Sequence, residues 1–379
     1  MTDPTLFTPG PLTTSDAVKR CMAHDVGSRT PEFAALVRSI RASLLELAGV
    51  SDAGYEVILL QGSGTFGIES VLGSVTPEHG CWLVVSNGVY GERIHEINRA
   101  LGIASRLLEL PLERPADPGL VASVLDGDAG LTHVAVVHCE TTTGLLNPAE
   151  AIARAARDRG RRCLVDAMSS FGGVPLHLRD TGIDYLVSSP AKALESVAGF
   201  CFVIARRRAL HEVRSRARSL SLDLIAQWRA LEATGQFRFT PPVQALLAFQ
   251  QALRELAEEG GVAQRAARYK ANCRALMEGM AALGIEPLLE EPVRGYLINA
   301  FREPAHREFD FDRFYDLLSE RGCVIYRGNV RGVRCFRIAT MGRIDVTDVR
   351  RLLAAIREAL DELGVSAPTP SAEGPRPGA

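Results

Sequence analysis

RCLVDAMSSFGG (162–173) and DYLVSSPAKALESVAGFCFVIA (184–205) are the stretches whose reading decides the fold. Each opens with a short apolar run that stops on polar residues, Asp166 in the first and Ser188–Ser189 in the second. The second stretch then closes on another apolar run, FCFVIA (200–205). Short, near-continuous apolar runs are strands buried on both faces, the kind parallel sheets use. The texture recurs upstream in EVILL (56–60), CWLVVS (81–86) and THVAVVH (132–138), most of them separated by helix-length segments such as GERIHEINRALG and NPAEAIARAARDRG. The pattern predicts an α/β protein: a mainly parallel sheet with helices on both faces.

Working outward, residues 1–15 read as an irregular Pro/Gly arm, after which Thr14 or Ser15 caps a helix and a second helix runs from about Glu32 to Ala48. The large domain is predicted over 16–245. From Val243 the texture changes to two long helical patterns and then to shorter strands and helices, YLINAF, DFDRFYDLLSERG, CVIY, CFRIA and DVTDVRRLLAAIREALDELG, predicting a smaller C-terminal α/β domain over 246–365. Residues 366–379 are rich in Pro, Ala and Gly and predict a disordered tail. The chain has 379 residues, 46% of them hydrophobic and 23% charged, which is long enough for two cores and is the balance of a globular protein. A net charge of −2 supplies no basic field for nucleic acid. No CxxC pair occurs among the 8 cysteines, several of which sit inside apolar runs; this predicts buried thiols in a reducing, cytoplasmic setting and no metal site. The opening residues lack the pattern of a signal peptide, and no apolar stretch reaches the length of a membrane span.

Lysine is scarce: Lys19, Lys192 and Lys270 are the three in the chain, so chemistry requiring a primary amine has three candidates. Lys19 and Lys270 lie in amphipathic helical patterns beside arginines and read as solvated charge. Lys192 follows a strand and has apolar neighbours, where burial would lower its pKa toward a nucleophilic range. Asp166 ends another strand, the end where parallel-sheet proteins place ligands. It could equally cap the SSFGG turn. GSGTFG (62–67) joins a strand to a helix, so Ser63, Gly64 and Thr65 form an anion cradle at a helix N-terminus. The run also satisfies GxGxxG, but the next strand ends in Ser86–Asn87 where a dinucleotide site needs an acid, which weakens an NAD-linked dehydrogenase reading. An amine, a strand-end acid and a phosphate cradle, with Tyr90 in SNGVYGER as a ring plate or an ordinary loop aromatic, together fit pyridoxal 5′-phosphate.

TPGPLTT, LLQGSGTFGIE, VSNGVYGER, HCETTTGLLNP, VDAMSSFGG, the Lys192 segment, RSLSLDLIAQW and CFRIATMG, in this order, resemble the class-V aminotransferases of fold type I, from about Phe7 to about Leu363. VDAMSSFGG and RSLSLDLIAQW are similar to the 2-aminoethylphosphonate:pyruvate transaminase group within them. The resemblance implies a fold type I PLP-dependent transferase in which Lys192 carries the cofactor as a Schiff base and Asp166 pairs with its ring nitrogen. It also implies Tyr90 stacked on one ring face, Met168 near the other, Thr141 at the ring's side, and Ser63, Gly64 and Thr65 on the phosphate. A homodimer with the site at the interface is implied, Thr240 reaching the partner's phosphate, and Arg337 is matched to the substrate's acid group. The substrates implied are 2-aminoethylphosphonate and pyruvate, exchanged in two half-reactions; a related transaminase acting on another small anionic amine or amino acid, or a cofactor-free member of the fold, are the alternatives.

Two departures accompany the likeness. Ala191 stands where an Asn or Gln precedes the lysine, and Glu195–Ser196 where Gln-Gly follows it. His138 reads as a strand-end histidine, and Arg29 as an entrance residue adding to an anionic pocket or a surface ion pair.

Overall fold

The computed structural model describes residues 3–213, 217–328 and 330–365. Seven strands build the central sheet: β1 (Tyr55–Gln61), β2 (Cys81–Ser86), β3 (Ala104–Glu109), β4 (His133–Val137), β5 (Arg162–Asp166), β6 (Tyr185–Ser188) and β7 (Phe200–Arg206). Their order across the sheet is β1-β7-β6-β5-β4-β2-β3, with β7 antiparallel to both neighbours and the remaining pairs parallel. The β1, β4, β6 and β7 runs are buried almost throughout, as their unbroken apolar sequences require. All parallel strands point their C-terminal ends the same way, and Ser86, His138 and Asp166 therefore surface along one rim.

β3 has no counterpart in the sequence reading. It pairs only with β2, and its residues alternate between exposed and half-buried, so ASRLLE carries too few consecutive apolar residues to register as a buried strand. The domain boundary expected at 245/246 also moves. The helix Val243–Glu258 sends Val243, Leu246, Phe249, Leu253 and Leu256 into the large-domain core, whereas Leu276 and Met280 of the next helix, Gly261–Ala282, belong to the second core. Sequence texture changed where helices lengthen, one helix before the core changes.

The smaller unit carries a three-stranded sheet in which Cys335–Ala339 lies between Ile298–Arg302 and Tyr326–Arg327, covered by the helices Phe311–Glu320 and Val346–Glu362. The N-terminal arm is stitched to it: Thr5–Leu6 runs parallel to Cys323–Val324, and Phe7 is fully buried in the second core. The predicted tail at 366–379 lies outside the described residues. No helix among the described residues is long and apolar enough to cross a membrane.

Candidate active site

At the rim of strand ends lies a cavity of about 270 Å³ whose lining includes Gly10, Ser63, Gly64, Thr65, Tyr90, Arg93, Thr141, Asp166, Met168, Ala191 and Lys192. It brings together residues from six separate chain segments. Nine residues of the sequence reading meet here: Lys192 and Asp166 with Ser63, Gly64, Thr65, Tyr90, Thr141, Met168 and the departure Ala191.

Ser63 is the N-cap of the helix Gly64–Val75, yet its side chain makes no capping hydrogen bond. Its hydroxyl is therefore available to another acceptor. The backbone N–H groups of Gly64 and Thr65 likewise have no partner among the described residues, as the first turn of any helix leaves them. Helix dipole and free donors make the spot attractive to an anion. Position 64 is also closely packed: a Cβ there would run into the Met168 thioether, which would have to turn aside.

Asp166 is buried at the end of β5, and its Oδ1 accepts from the Met168 N–H at 2.9 Å. Burial raises its pKa to about 6; the Met168 N–H and the charges of Lys192 and Arg93 pull the other way. Its second oxygen receives no hydrogen bond from the described residues, leaving an acceptor for a protonated ring nitrogen. Lys192 is turned beneath the arm, its Nζ donating to Pro9 O at 2.7 Å. Burial lowers its ammonium to about 8, assisted by the charge of Arg337 and opposed by Asp166. The arm passes so close that a Cβ on Gly10, at φ +121°, would lie 2.7 Å from both Lys192 Cδ and Nζ.

Thr141 Oγ shares a hydrogen bond of 2.7 Å with Ser169 Oγ, which fixes the hydroxyl at the cavity wall. His138 is buried, its Nδ1 2.9 Å from Ser170 Oγ, and desolvation lowers its pKa to about 4, so it is a neutral structural partner of the Asp166 turn. Arg337 donates NH1 to Thr141 O at 3.2 Å and NH2 to Arg327 O at 3.4 Å, placing a cation from the small domain's central strand near Lys192.

Two expected residues lie elsewhere in the single chain. Arg29 is exposed and donates to Gln236 Oε1 at 2.7 Å, so it forms neither a cavity wall nor an ion pair. Thr240 is exposed outside the cavity, with its carbonyl accepting from Gln61 Nε2 at 3.0 Å. Arg93 was missed: it stands three residues after Tyr90, one helical turn on, and that spacing was the available signal.

The residues present fit pyridoxal phosphate: the cradle that a Cβ would fill, the free donors of Ser63–Thr65, the open carboxylate oxygen and the buried amine all face one cavity. A model of the family described as aminotransferase class-V matches residues 14–350.

The chain belongs to the class-V aminotransferases. Relatives include the 2-aminoethylphosphonate–pyruvate transaminase of Syntrophobacter fumaroxidans, 47% identical over 360 residues, covering 95% of this chain and 97% of that one. The enzyme of the same name from Klebsiella pneumoniae is 46% identical over 357 residues, covering 94% and 97%. Among solved structures, the ureidoglycine–glyoxylate aminotransferase of Bacillus subtilis superposes with a TM-score of 0.88 at 24% identity, covering 98% of this chain and 96% of that one. That likeness carries the fold. For a class-V aminotransferase the dehydrogenase alternative falls away: β2 ends in Ser86, whose hydroxyl donates to Gly88 O at 3.0 Å, and presents no acid to a ribose.

The departure at 195 also finds its reason here. Glu195 has φ +55° and is buried, its Oε1 accepting from Tyr269 OH at 2.6 Å and from Arg268 NH2 at 2.7 Å. Arg265 donates to Ala193 O at 3.0 Å, so the turn after Lys192 is bolted to the helix Gly261–Ala282.

Proposed function

We propose that this aminotransferase transfers the amino group of 2-aminoethylphosphonate to pyruvate, releasing phosphonoacetaldehyde and alanine, with pyridoxal 5′-phosphate as cofactor. The observation that carries the reading is the buried pair at the strand ends: an amine at about 8 and an acid with a free oxygen, in one cavity with a helix-end anion cradle. The two relatives' names, at 47% and 46% identity over nearly the whole chain, supply the substrate class. Bound cofactor supplies an aldehyde that takes up the amino group and a ring that accepts the electrons left on the substrate carbon.

The chain's own residues do the rest. Gly64, Thr65 and the Ser63 hydroxyl hold the phosphate. Asp166, ionised at neutral pH, would accept a hydrogen bond from the ring N–H and keep that proton in place. Tyr90 and Met168 confine the ring. Lys192 would hold the cofactor through its amine and, when that amine is free, would serve as the general base that moves the substrate's proton; a value near 8 suits both tasks. Arg337 holds the substrate's acid end with the N–H donors that the Thr141 and Arg327 carbonyls leave free, so the same cation serves both half-reactions. Ala191 contributes no hydrogen bond to the phosphate, whose hold then rests on the cradle. In the cell the enzyme works as a cytoplasmic homodimer, with Thr240 reaching the partner's phosphate; the exposed Thr240 and Phe239 beside the Gln61 strand end support that placement.

Adding 2-aminoethylphosphonate to the cofactor-loaded protein should abolish its visible absorbance, and pyruvate should restore it. A protein that responds to alanine-like donors but not to 2-aminoethylphosphonate is a class-V transaminase of another specificity.

A further inference from the structure

We propose that Arg93 is a second anion-binding residue of this site, taking the phosphonate end of the amino donor together with Arg337. The inference rests on the transaminase reading above and goes beyond it by naming what separates a phosphonate from a carboxylate.

Arg93 lies on the helix Val89–Ala100, lines the cavity, and holds its guanidinium 4.7 Å from the centroid of the Tyr90 ring. Several half-buried or buried arginines of this chain are matched to carboxylates, Arg41 with Glu56 at 3.2 Å, Arg162 with Asp184 at 2.9 Å and Arg265 with Glu259 at 2.6 Å, and others, such as Arg238 and Arg337, donate to backbone carbonyls. Arg93 differs. Glu92 beside it is 4.0 Å from Arg331, and among the described residues no carboxylate, carbonyl or hydroxyl accepts from Arg93. A half-buried guanidinium with no protein acceptor keeps its donors for water or for an anion that enters the cavity.

The position suits a substrate anion. Arg93 lines the same cavity as Lys192, Arg337 is hydrogen-bonded to the carbonyl of the lining residue Thr141, and the charges of both bear on the Lys192 amine. Arg337 already spends NH1 and NH2 on the carbonyls of Thr141 and Arg327. A carboxylate offers two oxygens and one charge. A phosphonate offers three oxygens and up to two charges, more than the remaining donors of Arg337 can meet. Arg93 supplies an unspent fork, and the cation–π contact with Tyr90 holds it in place without consuming a hydrogen-bond donor. Arg93 thus tunes the pocket toward phosphonates, and Arg337 alone is adequate for pyruvate and alanine.

The test compares wild type, Arg93→Gln and Arg93→Lys as cofactor-loaded proteins. Three quantities are read: the donor concentration that half-abolishes the visible band for 2-aminoethylphosphonate and for alanine, methylphosphonate binding by calorimetry, and the dissociation constant of the cofactor. Arg93→Gln should raise the half-saturating 2-aminoethylphosphonate roughly 10- to 100-fold, the size expected for a lost charge-assisted pair, and alanine several-fold less. Methylphosphonate should weaken in parallel, and Arg93→Lys should recover part of both. Equal weakening of both donors overturns the proposal. So does a change confined to the cofactor's dissociation constant, which would assign the guanidinium to the cofactor phosphate, or no change at all. Wild type that ignores 2-aminoethylphosphonate would defeat the substrate reading by itself, and methylphosphonate binding would still decide Arg93.

Discussion

Two clusters of buried charge lie on either side of the turn after Lys192, and they are built on opposite rules. Around Glu195, every charge faces an opposite one: Arg268 reaches Glu195 and Glu259 at 2.7 and 2.8 Å, Arg265 reaches Glu259 at 2.6 Å, and Tyr269 donates to Glu195 Oε1, while Glu195 Oε2 has Arg265 at 3.7 Å and no hydrogen bond from the described residues. In the cavity, Lys192 has a carbonyl and Asp166 a single N–H, and neither has a charged partner in contact. The charge-paired cluster fixes geometry. The unsatisfied one is held in reserve for a ligand, and its strained pKa values record the cost of keeping it so.

The widest separation between the two should come from deleting one member of each. Lys192→Ala should cut turnover by roughly four orders of magnitude and remove the visible band. The cofactor-free protein should lose no stability, because a poorly matched buried charge has gone. Sodium borohydride should label position 192 in the wild type; a label elsewhere would break the comparison at its centre. Glu195→Ala should do the reverse, leaving Arg265 and Arg268 with Glu259 as their one shared carboxylate and lowering the unfolding free energy by about 3–5 kcal/mol, read as a lower denaturant midpoint at constant slope.

Smaller, and specific in sign, is the pH dependence of the cofactor-free protein. Lys192 has a folded value of about 8 against 10.5, so between these values the unfolded chain binds more protons and stability rises with pH; below about 8 the penalty is fully present. Asp166, at about 6 against 3.8, makes stability fall as pH climbs through that interval. Each contribution is on the order of 3 kcal/mol. Thermal unfolding of wild type against Lys192→Met should show a gap in favour of the variant that narrows from pH 8 upward; a gap indifferent to pH contradicts a buried ammonium. The smallest effect belongs outside both clusters. Glu320, 3.8 Å from Arg313 with both side chains more than half exposed, should change stability by less than about 0.5 kcal/mol on substitution by Ala.

This contrast also explains what the sequence could disclose. Lys192 was legible because only two other lysines compete with it, and Asp166 because it terminates an unbroken apolar run. The strands of the central sheet announced themselves by burial on both faces, except β3, whose edge position gives it an alternating pattern. Glu195 was visible only as an oddity: its partners Arg268 and Tyr269 lie more than seventy residues away, and such pairings leave no local trace. The boundary between domains was misplaced by one helix because the sequence records where helices lengthen, and the choice of core is made by packing. Arg93 escaped notice because, in an arginine-rich chain, one guanidinium without an acceptor looks like any other until its surroundings are known.

The route of the first residues has a practical consequence. Pro9 holds the amine of Lys192 while Thr5 and Leu6 are woven into the small domain, so the leading end of the chain is part of the reaction chamber. An affinity tag fused there, or a protease that trims it, acts on catalysis directly, and a purification handle belongs at the opposite terminus.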